Sequence, residues 1–177
     1  MKEISNYNEL EATEVVSGGV GLEKGIYAMK IVKVIDRPDK EYLEIWMDVC
    51  RGPQLGFFGK LYDKANDMWP NQGIWRASYK ETATKFFKAF MTAIEKSNLN
   101  YRWDWNELSL VGKMCVGVFA EEEYEKDGKI RVSTKMREIR STDAWNKNEI
   151  KIPELKKLNR KEESAPAPII SDVDAPF

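Results

Sequence analysis

The chain has 177 residues, a formal net charge of −1 at pH 7, 42% hydrophobic residues, 11% aromatic residues and no histidine. This length and composition predict one domain with a hydrophobic core, and no apolar run approaches the ~18 residues of a membrane-spanning helix. Without histidine the chain lacks the commonest general base, and two cysteines alone cannot build the usual zinc sites, so we expect no metal site and no cofactor. Cys50 and Cys115 are expected to be two buried thiols.

The charges are unevenly distributed along the chain. Residues 1–23 hold one basic and five acidic residues, residues 126–161 hold twelve basic and five acidic residues, and residues 162–177 hold four acidic residues and no basic one. A basic region between acidic ends favours an anionic partner such as a nucleic acid. The segment from Met1 to Gly19 lacks the basic and apolar stretches of a secretory signal, so we expect a cytoplasmic protein.

The first predicted strand begins at Gly25 and runs through β-branched residues to Ile35. Lys30 and Lys33 are three positions apart, so they would fall on opposite faces of a regular strand. A bulge or a strong bend near Ile31 would let both lysines lie on the same face of the strand, so we predict one of these irregularities there.

Two further strands complete a predicted antiparallel meander. A turn at residues 37–40 precedes residues 42–49, whose polar and apolar side chains alternate as in a half-buried strand. Residues 56–62 are predicted as the third strand. One side of that strand would carry Phe58, Lys60 and Tyr62.

One helix is predicted after a loop that contains Trp69 and Trp75. Ser78 and Glu81 have the spacing of a capping box at its start. The apolar residues that follow recur with helical periodicity. They are Phe86, Phe87, Phe90, Met91 and Ile94. A second loop, residues 98–107, is rich in aromatic residues.

The last two strands are predicted as a hairpin. Residues 110–120 alternate as a fourth strand, Asp127 and Gly128 form a strong turn signal, and residues 130–137 alternate as a fifth strand with one basic face. Three strands, a helix and a hairpin form the element order of a five-stranded Greek-key barrel, the OB-fold, with its helix between strands 3 and 4. We therefore predict a mainly β protein with an acidic extension at 1–23, an OB-fold domain at 24–158 and a disordered acidic tail at 159–177.

Basic and aromatic residues of the predicted strands could share one surface. Single-stranded nucleic acid needs this mixture, because rings stack on bases and cations follow the phosphates. The candidate nucleic-acid-binding residues are Lys33, Tyr42, Trp46, Phe58, Lys60, Tyr62, Arg131, Lys135 and Arg137. Alternatively, the basic row is a solvated edge strand. Because small barrels bury bulky rings, we expect about half of the aromatic residues on these strands to belong to the core, with Trp46 and Tyr62 exposed. Trp69 and Trp75 are expected to close one end of the barrel.

A run of acidic residues precedes the predicted hairpin turn. It consists of Glu121, Glu122, Glu123 and Glu125. Clustered carboxylates can hold the Mg²⁺ of a nuclease, but consecutive strand residues point to opposite faces, so we expect solvated charges and a protein that is not an enzyme.

The chain ends in an acidic segment whose last residue is Phe177. Residues 164–177 offer little apolar surface, so we expect them to stay extended. Phe177 could enter an apolar pocket of a partner while its own carboxylate, Asp174 and Asp172 meet basic residues. The alternative is a frayed terminus without a role.

The tip Asp172-Val173-Asp174-Ala175-Pro176-Phe177 is similar to the acidic tail of bacterial single-stranded DNA-binding proteins. Positions 172, 174, 176 and 177 match, while Val173 and Ala175 depart. The resemblance implies that Asp172, Asp174, Pro176 and Phe177 recruit replication and repair partners.

The body of the chain from Gly25 to about Ile139 looks like the phage-encoded single-stranded DNA-binding proteins of OB-fold type. The likeness lies in a Gly-Ile-Tyr opening, a Tyr-Leu-Glu-Ile-Trp strand and a Leu-Val-Gly-Lys strand that leads to a Glu-rich hairpin. It implies a bacteriophage protein of DNA replication, recombination or repair that acts in the cytoplasm of a bacterial host.

The sequence therefore predicts a protein that binds and protects single-stranded DNA without regard to base sequence. Its tail would recruit host or phage replication and recombination proteins. A single-strand annealing protein of recombination is the main alternative, and a Mg²⁺-dependent nuclease is a weaker one. A homodimer and a preference for DNA over RNA are left open.

Overall fold

A computed structural model describes residues 21–158, and the two ends of the chain, with most of the predicted N-terminal extension and the tail tip, lie outside these described residues. The described part contains five strands and three α-helices. The strands are β1 (Gly25–Arg37), β2 (Tyr42–Val49), β3 (Ile74–Ser78), β4 (Met114–Lys126) and β5 (Lys129–Arg140). The helices are α1 (Phe57–Leu61), α2 (Thr84–Ser97) and α3 (Thr142–Asn146).

The strands form one antiparallel sheet in the order β3-β2-β1-β4-β5. Its outer strands are β3 and β5, and no strand pairing joins them within residues 21–158, so the sheet is open. No helix of this part of the chain is long and apolar enough to cross a membrane.

The predicted bulge in β1 is confirmed. The register between β1 and β2 shifts between Ile31 and Lys33. Ile31 is almost completely buried and bonds through its backbone to the turn before β4, donating to the Lys113 carbonyl at 2.9 Å and accepting from the Gly112 amide at 2.8 Å. Because of the bulge, Ile31 is buried in the core although Lys33, two positions later, is a basic surface residue.

The predicted third strand at residues 56–62 is wrong, because most of this segment forms helix α1. The Asp48 carboxylate accepts hydrogen bonds from the Phe58 amide at 2.8 Å and the Gly59 amide at 3.0 Å, which satisfies free N–H groups of the first turn. A Cβ at Gly59 would lie 2.8 Å from that carboxylate, so a larger residue there would push the carboxylate out of its hydrogen bonds. Phe58 is fully buried and stacks with Phe119, which anchors the helix.

The actual third strand, Ile74–Ser78, lies where a loop was predicted. It pairs with β2, and Leu43 lies opposite Ala77 in this ladder, where both side chains are buried. Pro70 and Gly73 precede it and belong to a short turn, and these residues had favoured a loop.

Helix α2 is confirmed between β3 and β4, but its start differs from the prediction. Ser78 ends β3 and accepts from the Lys80 amide, so no capping box forms. The helix begins at Thr84 after a 3₁₀ turn and has no side-chain cap. The predicted apolar face is buried except for Phe86, which is 79% exposed.

Strand β4 is buried on both faces over its first half. Cys115 and Phe119 belong to the main core, whereas Val116 and Val118 pack against α3 and Ile150 in a second small cluster. Sequence alternation had not distinguished these two faces. Both cysteines are free thiols, and Cys50 is partly exposed rather than buried as predicted.

Candidate nucleic-acid interface

The β4–β5 hairpin extends beyond the rest of the sheet. Strand β1 pairs with β4 only from Met114 to Phe119, whereas β5 pairs with β4 as far as Lys126. Asp127 and Gly128 connect the two strands with φ angles of 55° and 70°, the left-handed conformation of a tight hairpin turn. The predicted hairpin is confirmed, and we refer to residues 120–135 as the hairpin arm.

One face of the arm is basic. The register pairs Ala120 with Lys135, Glu122 with Ser133, Tyr124 with Arg131, and Lys126 with Lys129. Because side chains alternate across a strand, these eight residues share one face, which we call the outer face. The predicted basic face is therefore present, with the Tyr124 ring opposite Arg131. Arg137 lies just below the arm, where the β4–β5 register shifts.

The opposite, inner face of the arm is acidic and apolar. It carries Glu121, Glu123 and Glu125 on β4 and Ile130, Val132 and Thr134 on β5. Ile130 and Val132 are 42% and 52% exposed. The run of glutamates is thus divided between two faces, as alternation predicted, and Glu122 alone of these four glutamates lies on the outer face.

Three cations surround the carboxylate of Glu122. The Lys135 ammonium lies 2.7 Å from Oε1, and the Lys156 ammonium and an Arg137 guanidinium nitrogen lie 3.7 Å and 3.9 Å from Oε2. The hydrogen bond from Lys135 is the largest cause that holds the pKa of Glu122 below its ordinary value, and the charges of Lys156 and Arg137 act in the same direction. On the outer face, the Glu122 carboxylate therefore lies among more positive charges than it can neutralise.

The segment before the tail is attached to the arm. Lys156 forms a parallel bridge beside β4, donating its amide to the Glu121 carbonyl at 3.1 Å and accepting from the Glu123 amide at 2.9 Å. The Leu158 amide donates to the Glu123 carboxylate at 3.1 Å. The chain thus leaves the described residues beside β4 of the arm, at the inner-face residue Glu123.

A second group of predicted site residues is brought together around Trp46. The Lys33 ammonium lies 4.2 Å from the centre of the Trp46 ring, and Trp69 stacks on that ring with a centroid distance of 5.5 Å. Tyr62 contacts the same ring and donates a hydrogen bond to Asp67, which also pairs with Lys33.

This arrangement leaves Trp46 only 5% exposed, so the prediction that its ring is exposed is wrong. The residues between α1 and β3 fold over the outer side of β2 and cover it. Trp69 is likewise buried and donates to the Met47 carbonyl at 3.2 Å.

The remaining predicted residues are separate from these two groups. Phe58 lies in the core and offers no ring face to a ligand, which corrects its assignment to the surface. Tyr42 is half-buried at the start of β2, where it pairs with Ser78, and Lys60 is exposed on α1.

Several exposed or basic residues were missed by sequence reasoning. Phe86 and Trp105 are both 79% exposed, and Trp105 has a φ of 64° with its ring 6.0 Å from that of Trp103. Tyr124 could have been found from its alternation with Glu122. Lys156 carries no local sequence signal, because only the parallel bridge brings it to the outer face.

Within residues 21–158, no group of three or more Cys, Asp or Glu side chains is placed to hold a metal ion. The inner-face glutamates point away from Glu122 and one of them, Glu121, pairs with Lys24 at 3.0 Å.

Comparison of the sequence with models of known protein families gives no match, and comparison with curated protein sequences gives none either.

Proposed function

We propose that the protein binds single-stranded DNA with little base preference and that it is not an enzyme. The outer face of the hairpin arm is the observation that carries this proposal, because the Tyr124 ring lies among cations from both strands. The cations are Lys126, Lys129, Arg131, Lys135 and, below the arm, Arg137. A ring gives a base a stacking partner worth roughly 1–3 kcal/mol, and cations follow phosphates without reading sequence.

We also propose that this open sheet has the topology of an OB-fold, which is a partly open Greek-key barrel. The first four strands lie in the order 4-1-2-3, which is the order of a Greek key. Gln72, just before β3, donates to the Thr134 carbonyl of β5 at 3.0 Å, so a side chain spans the open side of the sheet. In OB-folds the connection between strands 4 and 5 contributes to oligonucleotide binding, and the hairpin arm is that connection.

The biological setting follows from the sequence resemblance. We propose that the protein coats single strands during DNA replication, recombination or repair in a phage-infected bacterium, in the cytoplasm. Its tip would bind host or phage replication proteins through four residues. They are Asp172, Asp174, Pro176 and Phe177.

The test is a titration of labelled single-stranded DNA, duplex DNA and RNA at several salt concentrations. We expect tight binding to single strands of different sequence, with the logarithm of affinity falling against the logarithm of salt by about 0.7 per phosphate contact. A two-stranded ribbon can also enter the major groove of duplex DNA, so duplex DNA is the competing ligand in this titration. Equal affinity for duplex and single-stranded DNA would overturn the proposal. If the protein also pairs two complementary labelled strands when they are mixed, this activity would instead support an annealing protein.

A further inference from the structure

The cluster around Glu122 offers more hydrogen-bond donors than its carboxylate uses. Lys135 makes a short hydrogen bond, but the nitrogen atoms of Lys156 and Arg137 remain 3.7 Å and 3.9 Å away, which is beyond hydrogen-bonding distance. The Nη1 atom of Arg137 and the Oγ atom of Ser133, the residue opposite Glu122, are buried and have no hydrogen-bond partner among the described residues. Buried polar groups are normally paired, so unused donors beside an anion point to a second anion.

The charges of the cluster point to the same kind of ligand. Three cations face one carboxylate, which leaves excess positive charge on a face that is open to solvent. The side chains of Lys135 and Lys156 are 53% and 60% exposed. Ion pairs at such exposure contribute little to stability, so both ammonium groups can exchange one anion for another at small cost.

We propose that Lys135, Arg137, Lys156 and Ser133 form a phosphate subsite for the backbone of single-stranded DNA, and that Glu122 occupies this subsite as an internal competitor in the free protein. On binding, a phosphodiester takes these donors and the Glu122 side chain turns away from them. The ligand class is the phosphodiester group, and Lys156 and Ser133 become binding residues that the sequence had not indicated. This inference rests on the proposed function.

The subsite also connects DNA binding with the tail. Lys156 belongs to the segment that pairs with β4, and the predicted tail begins three residues later, at residue 159. A phosphate held by Lys156 would therefore lie close in sequence to the start of the tail.

The first test compares Glu122→Gln with Glu125→Gln. Both variants remove one negative charge from β4 with the same change of shape, but Glu125 lies on the inner face and is exposed. We expect Glu122→Gln to bind an oligothymidylate about three- to tenfold more tightly than wild type at low salt, with a steeper salt dependence, because the freed cations neutralise phosphates more fully and release more of the counterions condensed on the DNA. Glu125→Gln should change affinity less than twofold.

A second pair of variants keeps the proposal testable if Glu122→Gln folds poorly. Lys156→Ala should weaken binding several-fold, whereas Lys157→Ala, the same change at the adjacent exposed lysine, should have a smaller effect. The loss caused by Lys156→Ala should also be larger in the Glu122→Gln background, because the competitor is then absent.

The outcomes separate this inference from the proposed function. A wild type that does not prefer single strands overturns the proposed function and the subsite with it. A wild type that binds single strands, with Glu122→Gln no tighter than Glu125→Gln and Lys156→Ala no weaker than Lys157→Ala, overturns the subsite alone.

Discussion

The two faces of the hairpin arm are made by the same two strands and differ in almost every property. The outer face carries Lys126, Lys129, Arg131 and Lys135 around Tyr124, with Glu122 as its carboxylate. The inner face carries the other glutamates and two exposed aliphatic side chains. Alternation with a period of two separates these sets completely, although they are mixed in the sequence.

This separation shows how a chain with a net charge near zero can present a strongly basic surface. The potential that a ligand meets depends on which charges share a face, and the arm collects cations on one side and anions on the other. The inner-face glutamates also flank Ile130 and Val132, and such charges discourage an exposed apolar strand from pairing with another chain. A nucleic acid should therefore approach from the outer side.

Among the variants considered, removal of positive charge from the outer face is expected to change single-strand affinity most. Arg131→Ala combined with Lys135→Ala should weaken single-strand binding by about tenfold or more, about 1.4 kcal/mol, for all base sequences alike. The slope of log affinity against log salt should fall by about 1.4, since two phosphate contacts are lost.

Lys85→Ala combined with Lys88→Ala removes the same charge from exposed positions of α2 and serves as the control. Equal losses in the two double variants would mean that only net charge matters and that the outer face has no special role.

The tail should act on the outer face alone. Residues 162–177 carry four acidic residues, and a short tether beside the arm gives effective concentrations near the millimolar range. Removing residues 170–177 should leave DNA affinity equal or up to about threefold higher, with any gain shrinking as salt is added. Deleting Phe177 alone should abolish binding to replication partners and leave DNA affinity nearly unchanged.

Fluorescence anisotropy with labelled DNA and pull-down with host replication proteins measure the two effects of the tail. Much weaker DNA binding by the truncated protein would contradict this view, because the tail would then be part of the DNA site.

A smaller effect concerns pH and Glu122. The ionised carboxylate faces Lys135, Arg137 and Lys156 on the outer side, while Glu121 and Glu123 lie on the inner side. Because its pKa is lowered in the folded protein, Glu122 stabilises the fold above the ordinary glutamate pKa of about 4.3, and this stabilisation is lost as pH falls through the folded-state value.

Wild type should therefore exceed Glu122→Gln in the free energy of unfolding by about 1 kcal/mol at pH 7, and the difference should shrink at low pH. Urea unfolding at several pH values measures it. A difference that stays constant with pH would show that shape, not charge, distinguishes the variants.

The smallest effect is expected on the inner face. Val132→Thr keeps a β-branched side chain at an exposed position, so stability should change by less than about 0.5 kcal/mol and single-strand affinity should not change measurably. An anisotropy titration of labelled single-stranded DNA with this variant and with wild type measures the two affinities. A clear loss of affinity would show that the nucleic acid binds the inner face rather than the outer face.

Local signals in the sequence predicted much of the sheet. The spacing of Lys30 and Lys33 located the bulge, and the Asp127-Gly128 turn with alternation on both sides located the hairpin and its basic face. These features depend on neighbouring residues and on a period of two, so a single sequence contains them.

The errors arose where distant residues decide the structure. Residues 56–62 alternate like a strand, but the carboxylate of Asp48 satisfies the first turn of a helix there. Trp46 occupies a surface position of β2 and is buried only because Trp69 and Tyr62 fold over it. Trp46→Ala should therefore act mainly by destabilising the core, at a cost of about 3–5 kcal/mol.

The residues of the candidate site were also predicted only in part. Arg131 and Lys135 follow from alternation, whereas Lys156 reaches the outer face through a parallel bridge that leaves no local pattern. Glu122 could be placed on the correct face, but two of its three cationic neighbours, Lys156 and Arg137, depend on that bridge and on the register shift near Arg137.

The bridge at Lys156 also decides how the protein can be shortened. Beyond Phe119, strand β4 has lost β1 as a neighbour, and Lys156 fills the vacated side by bonding to the backbone of Glu121 and Glu123. A chain cut after Leu158 keeps this cover. A chain cut after Ile150 would expose an unsatisfied strand edge in the middle of the arm, and such an edge recruits strands from other molecules, so this shorter protein should form oligomers or precipitate.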